Sequence, residues 1–219
     1  MANSSISKGK FITLEGQDGA GKTTNLMFIC DYLREHGVEH IVTREPGGTV
    51  LGESIRELLL VKDIAIAAKT ELLLMFSARC QHVEEVIMPA LNAGKWVVCD
   101  RFTDATYAYQ GGGHNIESSI IEEVEQVCLN DFKPDLTLLL DLDVAIGQTR
   151  TDQRTNDNDS SGQLDRFERQ KSAFKQRVRK VYLQRAEQDF ERIKLIDASQ
   201  PLDDVQCSIA KNLTQFLDQ

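Results

Sequence analysis

At 219 residues the chain is long enough for one α/β domain with a substantial buried core. Its 41% apolar and 27% charged residues are the composition of a globular protein, not of a disordered or membrane-embedded one. A net charge of -9 argues against nucleic acid as the main partner, which would ask for a basic face, but leaves room for a small phosphorylated ligand held by a few local arginines.

The apolar pattern alternates between strand and helix. Phe11-Ile12-Thr13-Leu14-Glu15 reads as a short strand running into glycine. Over 24–36, Leu26, Ile29, Cys30 and Leu33 fall on one face of a helix that Gly37 stops. His40-Ile41-Val42-Thr43 is a second strand, and 52–60 a helix. Residues 70–88 are richly apolar and predict a mostly buried helix that ends or kinks near Pro89. Trp96-Val97-Val98-Cys99-Asp100 is a third strand with an acid at its end, and Ser119 with Glu122 forms a capping box for a helix reaching Leu129. The apolar run 136–142 is typical of a strand buried on both faces, and 193–196 is a fifth strand. Ser199 and Pro201 open a final amphipathic helix along Leu202, Val205, Ile209, Leu213 and Phe216.

This alternation predicts a single α/β domain over 1–219, with a central five-stranded parallel sheet flanked by helices. The polar segment 155–163, T-N-D-N-D-S-S-G-Q, cannot bury apolar surface and reads as a mobile loop, either a linker or an active-site lid. The odd set Cys30, Cys80, Cys99, Cys128 and Cys207 has no C-x-x-C spacing and reads as reduced thiols. With no signal-like N-terminal segment and no apolar run of membrane-spanning length, a cytoplasmic protein without membrane partners is expected.

Gly16-Gln17-Asp18-Gly19-Ala20-Gly21-Lys22-Thr23 matches G-x-x-x-x-G-K-[ST] between a predicted strand and a predicted helix. Glycines let the backbone curl and aim successive N–H groups at phosphate oxygens, and the following helix offers its positive end to the same anion. Lys22 reaches the β- and γ-phosphates, and the Thr23 hydroxyl is a ligand for Mg²⁺. The motif alone implies a nucleoside triphosphate such as ATP. A GTPase would also need N-K-x-D, which the chain lacks.

Three further segments are Thr43-Arg44-Glu45-Pro46-Gly47-Gly48-Thr49 after the second strand, Ala78-Arg79-Cys80-Gln81-His82-Val83-Glu84-Glu85 on the long helix, and Asp100-Arg101-Phe102 leading to Ala108-Tyr109-Gln110-Gly111-Gly112-Gly113. With L-D-R-F-E at 164–168, they resemble the bacterial thymidylate kinase family through nearly the whole chain. The resemblance implies a P-loop kinase fold with a mobile lid at about 147–168, a homodimer, ATP as donor and dTMP as acceptor. It implies that Asp18 contacts the sugar 3′-hydroxyl or the metal shell. Arg44 and Arg101 hold the dTMP phosphate, and Arg79 donates to thymine. Thr106 and Gln110 border the base, Tyr109 crowds the sugar 2′ position, and Asp100 organises Mg²⁺. Each of Arg44, Arg79, Asp100 and Tyr109 also has a purely structural reading, as ion pair, cap or core.

Two departures stand out. Ala105 replaces a common serine, and Met75 stands where an aromatic ring often stacks on thymine, with Phe76 next door. One residue is about 100° around a helix, so Met75 and Phe76 face differently, and which one covers the base stays open. Arg150 and Arg154, four apart, precede the polar loop and share a face if helical. Since the variable P-loop positions carry no base, the resemblance implies that the lid supplies the catalytic cation, Arg154 foremost and Arg150 as accessory. Thymidylate kinase is the leading reading; another P-loop nucleoside or nucleotide kinase, or a non-catalytic nucleotide-binding module, are the alternatives.

Overall fold

β1 (Phe11–Gly16) is buried along its whole length and runs through the centre of the fold. The structure, a computed structural model, describes residues 8–61, 64–157, 167 and 170–218, the side chains of residues 154–157 excepted. In chain order β1 is followed by α1 (Lys22–Glu35), β2 (His40–Arg44), α2 (Val50–Leu60) and α3 (Ala68–His82). α3 passes through a π-helical turn (Val83–Ile87) into α4 (Met88–Asn92). Then come β3 (Trp96–Asp100), α5 (Thr103–Thr106) with a π-helical extension (Tyr107–Gly113), and α6 (Ser118–Leu129). β4 (Leu136–Asp141), α7 (Val144–Asp157), α8 (Ser172–Gln188), β5 (Ile193–Asp197) and α9 (Leu202–Leu217) complete the order.

Among the described residues the strands form one parallel sheet in the order β2-β3-β1-β4-β5. The register pairs Leu14 with Asp100, Arg44 with Asp100, Gly16 with Leu140, and Asp141 with Asp197. The carboxyl ends of all five strands therefore lie at one level, where open α/β sheets bind ligands.

Both faces of the sheet are covered. On one, Ile29 and Leu33 of α1 and Val205, Ile209 and Leu213 of α9 pack on Ile12, Leu14, Leu138 and Leu140. On the other, Leu72 and Phe76 of α3 and Ile121 of α6 pack on Phe11, Val97 and Phe102. α8 adds Phe174, Val178 and Tyr182 against Leu139 and Ala108.

Three expectations change. Of the two expectations for 70–88, an end or a kink near Pro89, the end is not seen: the helix continues to Asn92 after the backbone shifts to π geometry, with the Met88 N–H reaching back to the Val83 carbonyl. Ser119 and Glu122 do not form a capping box; the N-cap lies two residues earlier, at Glu117, with no side-chain cap. The chain also folds three helical stretches that its apolar pattern does not announce, at Thr103–Gly113, Val144–Asp157 and Ser172–Gln188. α8 buries only a narrow stripe, Phe174, Val178, Tyr182 and Ala186, among arginines and lysines.

Ile209 is fully buried between α1 and β4. Ile209→Ala should destabilise the fold by about 2–5 kcal/mol, read as a lower urea midpoint at unchanged slope.

Candidate active site

The turn after β1 is shaped by glycines that admit no side chain. Gly19 has φ +80, and a Cβ there would lie 2.4 Å from the Gly147 carbonyl oxygen, so the loop tip rests directly on α7. A Cβ on Gly16, φ +139, would meet the Leu140 oxygen at 2.6 Å. Gly21 turns left-handed into α1 without any side-chain cap, leaving the first amides of that helix free for an anion. Lys22 Nζ donates to the carbonyls of Gly16 and Gln17, each at 3.1 Å. Burial, then the charge of Arg101, pulls its pKa below the ordinary lysine range.

Arg101 follows β3 with φ +71, an unusual conformation for a residue with a Cβ. Its Nη1 donates to Gly16 O at 3.0 Å and to the Tyr182 hydroxyl at 3.2 Å. Its Nη2 donates to Asp18 Oδ1 at 3.1 Å and to the Tyr109 hydroxyl at 3.2 Å. The guanidinium also stands 4.9 Å from the centre of the Tyr109 ring. Burial alone would lower its pKa, but Tyr109, Tyr182, Asp18 and Asp100 outweigh that and hold it well above the usual arginine value. Beneath lies Glu15, fully buried, which accepts from the Phe102 amide at 2.7 Å and the Tyr182 hydroxyl at 2.8 Å. Burial, then the negative Asp104, pushes its carboxyl up to about 7 against the pull of Arg101 and these hydrogen bonds.

A second arginine, this one buried, organises the other end. Arg79 Nε donates to Glu45 at 2.6 Å, Nη1 to Thr106 Oγ1 at 3.0 Å and Nη2 to the Phe102 carbonyl at 3.0 Å. The free oxygen of Glu45 accepts from His82 Nδ1 at 3.0 Å, and His82 Nε2 lies 2.6 Å from Thr43 Oγ1. A lone buried charge would cost several kcal/mol, so this mutual pairing is what lets Arg79 and Glu45 stay inside. The loop 45–48 is locked in turn: Glu45 follows the turn out of β2, and Gly48 packs where a Cβ would strike His82. Gln110 donates to buried Glu71 at 2.8 Å.

These groups meet around a cavity of about 480 Å³. Asp18, Gly19, Gly21, Lys22 and Thr23 line one side; Arg79, Arg101, Thr106, Tyr109 and Gln110 line the other, with Asp100 between. Met75 lies on the wall, and Ala105 beside Thr106. Arg150 also reaches it, donating to Ala198 O at 3.1 Å and more weakly to Gly19 O at 3.5 Å. Phe167 lies on the same wall, edge-on to Tyr109 with ring centres 5.9 Å apart. Asp100 Oδ1 is buried without a hydrogen-bond partner. Among the described residues no three His, Cys, Asp or Glu side chains cluster as a metal cage. Thr23 and Asp100, both on the cavity wall, offer oxygen atoms of the kind that could hold Mg²⁺.

Most of the expected residues converge on this space, and the exceptions have clear causes. Gly16, Gln17 and Ala20 form the back of the loop, away from the cavity; Gln17 faces a small neighbouring pocket, and Ala20 is in the core. Phe76 is not on the cavity wall: it is fully in the core, its ring 4.9 Å from the Arg79 guanidinium, so its place is under Arg79 and Met75 takes the exposed face. Arg44 is half-exposed outside the cavity, paired with Glu53 at 2.9 Å. The side chain of Arg154 and the loop 158–166 lie outside the described residues. The pattern overlooks Glu15 and Tyr182. The signal for the first was an acid ending an apolar strand; the signal for the second was the spacing Phe174, Val178, Tyr182.

The sequence profile of the thymidylate kinase family matches residues 14–209. A thymidylate kinase of Pseudomonas savastanoi pv. phaseolicola is 54% identical over 211 residues, covering 96% of this chain and 97% of that protein. One of Nitrosospira multiformis is 49% identical over 206 residues, covering 94% and 97%. The crystal structure of thymidylate kinase from Ehrlichia chaffeensis superposes with a TM-score of 0.75 at 33% identity, covering 94% of this chain and 99% of that one.

The raised carboxyl of Glu15 makes a stability prediction. The unfolded chain loses this proton near pH 4.5, whereas the folded chain keeps it to about 7, so folding binds a proton between these values and this contribution to stability falls as pH rises. Glu15→Gln should remove that slope. Urea melts at pH 4.5 and 7.5 should show the stability difference between the two chains shifting by up to about 3 kcal/mol against the native one. A difference independent of pH would contradict the assignment.

Proposed function

The chain belongs to the thymidylate kinase family, and on that premise we infer how its residues divide the work of the reaction. The enzyme transfers the γ-phosphoryl group of ATP to dTMP, giving dTDP and ADP. The observation that carries this reading is the one cavity on which the P-loop and the arginines Arg79 and Arg101 both open.

ATP lies along the P-loop, its phosphates on the amides of Gly19 to Thr23 and on Lys22. Thr23 and Asp100 would hold Mg²⁺, which supplies charge neutralisation on the transferring phosphates when bound; the partnerless Oδ1 of Asp100 supports this. Arg101 holds the dTMP phosphate, and its clamps on Gly16 and Asp18 fix that phosphate relative to the donor loop. Arg44 would have to leave Glu53 to join it. Asp18 and Tyr109 border the sugar, the latter crowding the 2′ position. Arg79, Thr106, Gln110 and Met75 border thymine, and two of Arg79's five N–H groups remain to meet a ring oxygen.

An oxygen of the dTMP phosphate forms the new bond to the γ-phosphorus as the bond to the β,γ-bridging oxygen breaks. The acceptor is already anionic, so no general base is assigned. What remains is positioning and charge stabilisation by Lys22, Arg101 and the cations of α7, Arg150 and Arg154. The domain spans the chain, with a lid at about 147–168. α7 forms its first part, and the close seat of Gly147 on Gly19 supports movement of α7 being felt at the P-loop.

We also assign a homodimer. Leu73 of α3 and Val127 of α6 are 55% and 85% exposed, on helices that touch through Cys80 Sγ and the Cys128 carbonyl at 3.7 Å. The five cysteines are free thiols, which supports a reducing compartment, the cytoplasm. No helix among the described residues is long and apolar enough to cross a membrane.

In an ADP-release assay across nucleoside monophosphates, dTMP should be the preferred acceptor, and Lys22→Ala and Arg154→Ala should each lower kcat at least about 10²-fold with the fold intact. Faster turnover of dCMP or AMP would refute the acceptor, and near-normal turnover of Arg154→Ala would remove it from catalysis. Sedimentation equilibrium should give twice the chain mass, and Val127→Glu should shift it toward the monomer.

A further inference from the structure

Arg101 is an improbable residue to find rigid. It is a long side chain on a left-handed backbone, φ +71, at the point where β3 gives way to a loop. Two backbone bonds hold that turn. Arg101 N donates to Leu14 O at 3.0 Å, and the next amide, Phe102 N, donates to Glu15 Oε1 at 2.7 Å. The other oxygen of the same carboxylate accepts from the Tyr182 hydroxyl at 2.8 Å, and that hydroxyl accepts from Arg101 Nη1 at 3.2 Å. One fully buried carboxylate thus grips Arg101 at both ends, its backbone through Phe102 and its guanidinium through Tyr182.

The anchor itself is stiff. Glu15 is the penultimate residue of β1, paired with Leu139 of β4, and neighbours Gly16, whose carbonyl carries both Lys22 and Arg101. Tyr182 is buried on α8, and burial with the neighbouring Glu15 keeps its hydroxyl protonated, as the donor to Glu15. We infer that Glu15 and Tyr182 are positioning residues for Arg101, setting the angle at which its guanidinium meets the acceptor phosphate. Neither touches the reacting atoms; both act through Arg101. A clamp of this kind matters because a small misplacement of a charge-stabilising group costs rate even when substrate still binds.

The inference rests on Arg101 acting at the acceptor phosphate, and the test separates the two. Tyr182→Phe removes the hydroxyl and keeps the ring in the core; Glu15→Gln keeps the shape and loses one acceptor. Each should lower kcat/KM for dTMP about tenfold, with the KM for ATP within twofold and a single cooperative melting transition retained. In an Arg101→Ala background the same Tyr182→Phe change should cost less than twofold, and the Glu15→Gln/Tyr182→Phe double variant should be no worse than the larger single loss. An equal loss with and without Arg101, additive losses in the double variant, or no loss in either single variant would overturn the positioning role. Unchanged kcat/KM for dTMP in Arg101→Ala alone would overturn the role of Arg101 as well. If Tyr182→Phe melts early, the Glu15→Gln and Arg101→Ala cycle decides the question by the same criterion.

Discussion

Parallel pairing of β1 between β3 and β4 is the constraint from which the rest follows. Because the strands run in one direction and in register, Gly16, Arg44, Asp100 and Asp141 finish at one edge. Each strand must return over a face of the sheet through a helix, which covers both faces with apolar residues and leaves that edge as the place where loops gather. The P-loop after β1 and the cavity-lining residues after β2 and β3 are neighbours because of this register, although they are far apart in the chain.

That edge is unusually rich in buried charge, and the way charge is tolerated there gives the site its shape. Two arginines are each answered by a carboxylate at a strand end: Arg79 directly by Glu45, and Arg101 through Tyr182 by Glu15. Away from that edge, toward the amino ends of β4 and β5, Asp104 is likewise met by Arg185 at 2.5 Å and by Arg192 at 2.7 Å, with Thr137 beside it. Removing one member of such a set leaves its partner charged and unsolvated, so the arrangement resists small distortions more strongly than it adds net stability. Phosphoryl transfer depends on fixed charges rather than on covalent help, and fixed charges are what these pairings provide.

The P-loop and the residue that follows β3 are also coupled mechanically. The Gly16 carbonyl accepts from both Lys22 and Arg101. Gly19 leans on Gly147, so the helix that bears Arg150 and Arg154 is packed against the tip of the phosphate loop. Tyr109 is boxed by Phe167, Phe174 and Tyr182, with ring centres 5.9–6.4 Å away, so this part of the cavity wall is held from α8 and from Phe167 before it.

The sequence alone determined the strands, the P-loop, most of the helices and the residues that converge on the cavity. These depend on local periodicity and on motifs whose chemistry is written in adjacent residues, as in the helical spacing of Val205, Ile209 and Leu213 or in Gly16-to-Thr23. Tertiary structure decided what depends on a partner far away in the chain. Met75 faces the cavity and Phe76 supports Arg79 because α3 packs at one rotation rather than another. Arg44 pairs with Glu53 because α2 brings that acid alongside. α8, too charged to stand out by pattern, is a helix because its narrow stripe fits Leu139 and Ala108. Only there does Tyr182 meet Glu15, 167 positions earlier, and Arg101 acquire a fixed direction.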